Sequence, residues 1–205
     1  MTHADKLTAA ELAAYNCAVI NRMNLSRFVI DFQTSVDLFE LLERGGGPPT
    51  VGIFGGAFTY YRMIAAKDGA MNIYHFGCSL EAIRHQLSAC RSLQEIDRVA
   101  VRRACKLFRS TFPHAESVRH AIAHAGELND TPAKITIQNQ KNAFTGHGFS
   151  IGSGGQLIGA LYERTYSIVF EGEVFSVVMD TDTLAKLNVI SGLVYGAFSS
   201  PCGQT

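Results

Sequence analysis

The chain changes character once and then changes back, and that switch limits the folds open to it more than any other feature. Up to about residue 128, apolar residues recur at helical spacing between capping signals, whereas the runs from Lys134 to Met179 are rich in β-branched and aromatic residues. Asp180-Thr-Asp-Thr183 then offers helix N-caps again. The expected fold is mainly α in an α+β arrangement: a helical bundle body, a small antiparallel β meander and a C-terminal helix that returns to the body. A single domain is expected over 1–205, with the body over 1–128, the meander over 129–180 and the last helix and tail over 181–205.

Local signals place the elements. Thr8-Ala-Ala-Glu11 is a capping box opening a helix to about Met23, and a second stretch runs from about Ser26 to Glu43, where Gly45-Gly-Gly-Pro-Pro49 stops it. A third helix is expected from Val51 to Ala66, ended by Asp68-Gly69, and a fourth from Ser79 to Cys90. Ser92-Leu-Gln-Glu95 reads as another capping box, opening a helix to about Phe112. Pro113 then starts a helix that ends at Gly126 in a left-handed cap. Strands are expected over Lys134 to Asn139, Leu157 to Tyr162, Thr165 to Phe170 and Glu173 to Met179, with Glu171-Gly172 as a hairpin turn and the glycine-rich 146–155 as a loop.

Several functions fall away on composition and motif. Eighteen basic residues balance eighteen acidic ones, so no global field draws the protein to nucleic acid or to an anionic membrane. Cys17, Cys78, Cys90, Cys105 and Cys202 are odd in number and lack metal-ribbon spacing, which fits reduced thiols in a cytoplasmic protein. No secretory signal is expected from MTHADKLTAAEL, and the uncharged stretch after Lys186 is too interrupted by polar residues to span a membrane. Gly148-Phe-Ser-Ile-Gly152 matches a nucleophile elbow, but all seven histidines precede Ser150, the wrong order for an α/β-hydrolase. The glycine clusters near Gly45 and Gly55 lack the lysine and hydroxyl residue of a phosphate-binding loop.

The informative region is 98–127. Arg98, Arg102, Lys106 and Arg109 fall on one helical stripe opposite Ile96, Ala100, Ala104 and Leu107. With Arg103, residues 98–109 hold five cations and no acid, suiting either an ordinary solvated face or phosphate binding. On the next helix Val118, Ile122 and Ala125 form the apolar face, and Leu107, Phe108, Val118 and Ile122 are expected in the core. Glu116, His120, His124 and Glu127 project from the other side, which leaves three readings open. They form a solvated face, or a site for acid–base chemistry on a phosphodiester, or a metal site in which His120 and His124 share an ion with Glu127. No second E-x-x-H helix is present for a dimetal bundle, and neither metal nor cofactor is expected.

The segment Arg119-His120-Ala121-Ile122-Ala123-His124 resembles the R-x4-6-H motif, with a polar first x, of HEPN-domain proteins, and the similarity is best over about 50–128. The resemblance implies an α-helical, commonly dimeric protein of a class that includes metal-independent endoribonucleases of toxin–antitoxin and phage-defence systems as well as noncatalytic members. It implies that Arg119 and His124 are the paired functional residues, with His120 in the polar position between them. RNA is then the expected partner, the stripe of Arg98, Arg102, Lys106 and Arg109 its phosphate contact, and a noncatalytic dimeric interaction module the alternative. Arg109-Ser-Thr-Phe-Pro-His114 has the same spacing but is broken by Pro113. On an ideal helix, positions five apart diverge by about 140°. A two-fold homodimer is therefore expected to bring Arg119 of one chain beside His124 of the other.

Overall fold

A computed structural model describes residues 7–45, 53–157 and 159–199. The fold is mainly α with small antiparallel sheets: helices α1 (Ala9–Gly45), α2 (Ile53–Gln86), α3 (Arg98–Thr111), α4 (Ala115–Ala123), α5 (Pro132–Gln138) and α6 (Thr181–Ser199), and strands β1 (Phe144–Gly146), β2 (Phe149–Ile151), β3 (Ala160–Tyr162), β4 (Thr165–Phe170) and β5 (Glu173–Val178). Most of Gly45–Pro49, the start of the helix expected from Val51, and Cys202 with the tail lie outside the described residues. The chain forms two compact units, one from the segments up to Asp31, His75–Pro113 and Leu184 onward, the other from Phe32–Tyr74 and His114–Thr183. No described helix is long and apolar enough to cross a membrane.

The first unit is all helical. Leu25, Phe76, Leu80, Ile83, Val101 and Ile190 are buried in it, each contributing roughly 1.5–3 kcal/mol relative to exposure. Gly77 of α2 faces the Phe108 ring of α3, which occupies the space a Cβ would need. The Thr8 and Glu11 capping box forms as expected, the Glu11 amide donating to Thr8 Oγ1 at 3.2 Å and the Thr8 amide to Glu11 Oε2 at 3.0 Å. No break follows near Ser26, and α1 runs as one helix. Leu25 is fully buried, and Ser26 donates to the Tyr195 hydroxyl at 2.7 Å instead of capping its own backbone. The Ser92–Glu95 capping box is not made. The chain forms a short 3-10 turn at Arg91–Leu93, and Asp97 caps α3 by accepting from the Val99 and Ala100 amides. Phe108 is buried while Leu107 is only half-buried, because the core face of α3 is Val101, Ala104, Cys105 and Phe108.

In the second unit, the stop expected at Asp68-Gly69 is absent and α2 continues through it. Asp68 Oδ2 instead accepts from Ser35 Oγ at 2.7 Å and from Asn72 Nδ2 at 3.0 Å. Gly69 clears the space taken by the Met179 methyl. Both residues that look like punctuation therefore serve packing between α1, α2 and the end of β5. Strands β3, β4 and β5 form an antiparallel meander in which Ile168 faces Phe175 across the register. Glu171 (φ 51°) and Gly172 (φ 80°) make the hairpin turn as expected. Asp180 Oδ1 accepts from the Thr183 amide at 2.7 Å, capping α6.

Two segments in this unit differ from the sequence reading. Lys134–Asn139 is not a strand: Thr131 Oγ1 accepts from the Lys134 amide, Pro132 occupies the first helical position, and α5 results. A six-residue run with Ile135, Thr136 and Ile137 cannot by itself separate strand from helix. The 146–155 stretch is not all loop, because β1 and β2 pair through a turn at His147 (φ 47°) and Gly148 (φ 74°). Ser150 lies in β2 with Oγ 3.0 Å from Thr145 Oγ1, so the elbow-like motif is part of a hairpin. Helix α4 packs on β4 and β5 through Val118 and Ala121, with Ile122 half-buried.

Candidate functional site

Helix α4 is short. It stops at Ala123 rather than Gly126, and Gly126 is right-handed (φ −68°, ψ −45°), so no left-handed cap forms there. His124 is the C-cap, with φ −113° and ψ 19° and its amide donating to the His120 carbonyl. Arg119 Nη1 nevertheless lies 3.5 Å from His124 Nε2 in the same chain, so the pair forms through the reach of the two side chains without a second copy.

Five further groups surround the pair. Glu127 Oε2 sits 3.0 Å from His124 Nδ1. The His120 ring stacks between His124 (5.6 Å between centroids) and Phe170 of β4 (5.9 Å). Glu116 Oε1 is 4.0 Å from His120 Nε2, at the edge of ion-pair range. The Arg119 guanidinium lies over the Tyr74 ring at 5.3 Å, and its Nε is buried without a hydrogen-bond partner. The His124 side chain is 37% exposed and can be reached from solvent. Among the described residues, no three His, Cys, Asp or Glu side chains are arranged to hold a metal ion.

Of these groups, Glu116, His120, His124 and Glu127 were legible as one helical stripe, and Arg119 through the spacing of its motif. Tyr74 and Phe170 were not, because each reaches the site through tertiary packing and carries no local signal. On the other side of α4, Ala121, Ala125, Leu128, Gln138 and Ile168 line a cavity of ≈ 20 Å³. That is room for about one water. The exposed imidazole edge is therefore the more open chemical feature of this unit.

The basic stripe on α3 is only partly available. Arg98 is half-buried and donates to the Leu87 carbonyl at 2.6 Å. Arg109 pairs with Glu81 at 2.5 Å, and Arg84 holds the same carboxylate at 2.7 Å. Burial pushes the Glu81 carboxyl up, but the hydrogen bonds from Arg84 and Arg109 outweigh it and leave the group below its ordinary range. Arg102, Arg103 and Lys106 are exposed and make no ion pair or hydrogen bond among the described residues. Arg103, left off the stripe by its angle, joins Arg102 and Lys106 as a free cation.

No protein-family model, curated protein or solved structure matches this chain.

Proposed function

We propose that the protein is a HEPN-like, metal-independent endoribonuclease acting on RNA in the cytoplasm, within a defence or toxin–antitoxin type system. The observation that carries this reading is the line Glu127–His124–Arg119, an imidazole set between a carboxylate at 3.0 Å and a guanidinium at 3.5 Å. Metal-free RNA cleavage needs a base for the 2'-hydroxyl proton and a cation for the charge that grows on the phosphoryl oxygens. His124 Nε2 takes that proton as the 2'-oxygen bonds to phosphorus. Arg119 holds the nonbridging oxygens, a task its planar fork of donors suits. The bond to the 5'-oxygen breaks, and His120, stacked on His124, is the second imidazole able to protonate the leaving oxygen. The products are a 2',3'-cyclic phosphate and a 5'-hydroxyl.

Arg102, Arg103 and Lys106 would supply the salt-dependent hold on the phosphate backbone, with Arg98 and Arg109 committed to the fold. A homodimer would carry one complete site in each chain. The test is cleavage of a single-stranded RNA pool by the wild type, Arg119→Ala and His124→Ala in the presence of a chelator. Activity in the wild type and its loss in both variants, with the melting temperature of His124→Ala unchanged, supports the reading. Absence of cleavage by the wild type refutes it. The burial of Arg119 Nε against Tyr74 favours a second reading, a noncatalytic interaction module in which Arg119 is structural. That reading expects Arg119→Ala to lower stability with no activity to lose.

A further inference from the structure

We propose that Glu127 is a positioning residue: it holds His124 in the tautomer protonated at Nδ1, so that the Nε2 lone pair is the base presented beside Arg119. What that base does rests on the ribonuclease reading above. Which nitrogen is the base follows from the neighbours. A carboxylate can only accept, so His124 Nδ1, 3.0 Å from Glu127 Oε2, is the donor of that contact. A guanidinium can only donate, so His124 Nε2, 3.5 Å from Arg119 Nη1, is left as the acceptor. The two neighbours select the same neutral tautomer from opposite ends of one ring. When Nε2 takes a proton, the ring becomes a cation facing Arg119, and the Glu127 carboxylate is the charge that offsets it.

Glu127 is mostly exposed, and an exposed carboxylate is usually free to turn into water. Here its backbone is held. It begins a 3-10 turn, Glu127–Asn129, in which the Leu128 amide donates to the His124 carbonyl at 2.9 Å and Asn129 Nδ2 to the Ala125 carbonyl at 2.9 Å. Lys134 Nζ closes the turn by donating to the Glu127 carbonyl and to Asp130 Oδ2, both at 2.9 Å. Lys134 is in place because Thr131 caps α5. The short helix that replaces the expected strand thus returns a cation to the turn that carries Glu127. Since an exposed pair adds little to stability, the effect of Glu127 falls on proton placement rather than on the fold.

The experiment uses the full chain with 15N-labelled histidine and reads the His124 ring by two-bond proton–nitrogen correlation, alongside cleavage of single-stranded RNA. In the wild type the spectrum is expected to show Nδ1 protonated and Nε2 bare. Glu127→Ala is expected to give mixed tautomers and a ten- to hundredfold lower kcat, with KM and melting temperature unchanged, within what a well-placed general base contributes. Glu127→Gln can still accept at Nδ1 while Arg119 keeps Nε2 the acceptor, so it should retain most of the tautomer but lose the charge that offsets the protonated ring. Lys134→Met leaves Glu127 present but loosens its turn, and should shift the tautomer partway. An unchanged His124 tautomer in Glu127→Ala overturns the proposal. A shifted tautomer supports it even if the wild type cuts no RNA, a result that would refute the ribonuclease reading alone.

Discussion

Arg119 Nη1 stands 3.5 Å from His124 Nε2, with Arg119 inside α4 and His124 its C-cap. Five positions along an unbroken helix would separate them by about 140°. His124→Ala removes only the exposed imidazole, whereas Arg119→Ala removes both the cation and a ring contact with Tyr74.

Two glycines in the first unit should respond in opposite directions. Gly192 of α6 has no described atom within 4 Å of where a Cβ would sit, so Gly192→Ala should stabilise by about 0.5–1 kcal/mol through helix propensity alone. Gly77 faces the Phe108 ring, and overpacking there costs about 1–3 kcal/mol. That cost equals or exceeds the propensity gain, so Gly77→Ala should be neutral to destabilising by about 2 kcal/mol. Thermal or denaturant melts of the two variants provide the check, and a stabilised Gly77→Ala would contradict the packing described for α2 and α3.

Cys105 offers a test by pH. Burial pushes its thiol up to about 11, with the Glu81 carboxylate adding to the rise and Arg84 and Arg109 opposing it. The folded state therefore resists ionisation that the unfolded chain undergoes from the ordinary thiol range upward. This contribution should be constant below about pH 8.5 and lost as pH rises toward 11. Denaturant midpoints of Cys105→Ala should lack that part of the alkaline loss. In the native protein, exposed Cys78 should react with a thiol reagent well before buried Cys90 and Cys105.

The free cations of α3 should govern salt dependence and not chemistry. Arg102→Glu with Lys106→Glu should weaken RNA binding and flatten the plot of log K against log salt by roughly 1.4, the value for two contacts to a single strand. The product ends should stay the same. Arg109→Gln should have a smaller effect on binding and a larger one on stability, because its partner Glu81 is then left with Arg84 alone. Filter binding across a salt series distinguishes the two patterns.

Elements with a local cause were legible in the chain. The strand Thr165–Phe170, its turn at Glu171-Gly172 and the Asp180 cap all depend on residues close in sequence, and all three form where expected. Asp68-Gly69 misled because its use is tertiary, a carboxylate for Ser35 and Asn72 and a gap for Met179. Lys134–Asn139 misled because β-branched content outweighed the Thr131-Pro132 start signal. At the site, the stripe from Glu116 to Glu127 was visible in helical spacing. The approach of Arg119 to His124 was not, since the spacing sets the two about 140° apart and their contact is made by side-chain reach, which carries no local signal.

The central claim is that His124 is the base of an RNA-cleaving site completed by Arg119. The most direct measurement is the chemistry of the ends left on single-stranded RNA by purified wild type and by His124→Ala, both in EDTA. The account predicts 2',3'-cyclic phosphate ends from the wild type and none above background from the variant, with the two proteins melting at the same temperature. Equal yields of such ends from both proteins, or none from the wild type on any RNA pool, would contradict it.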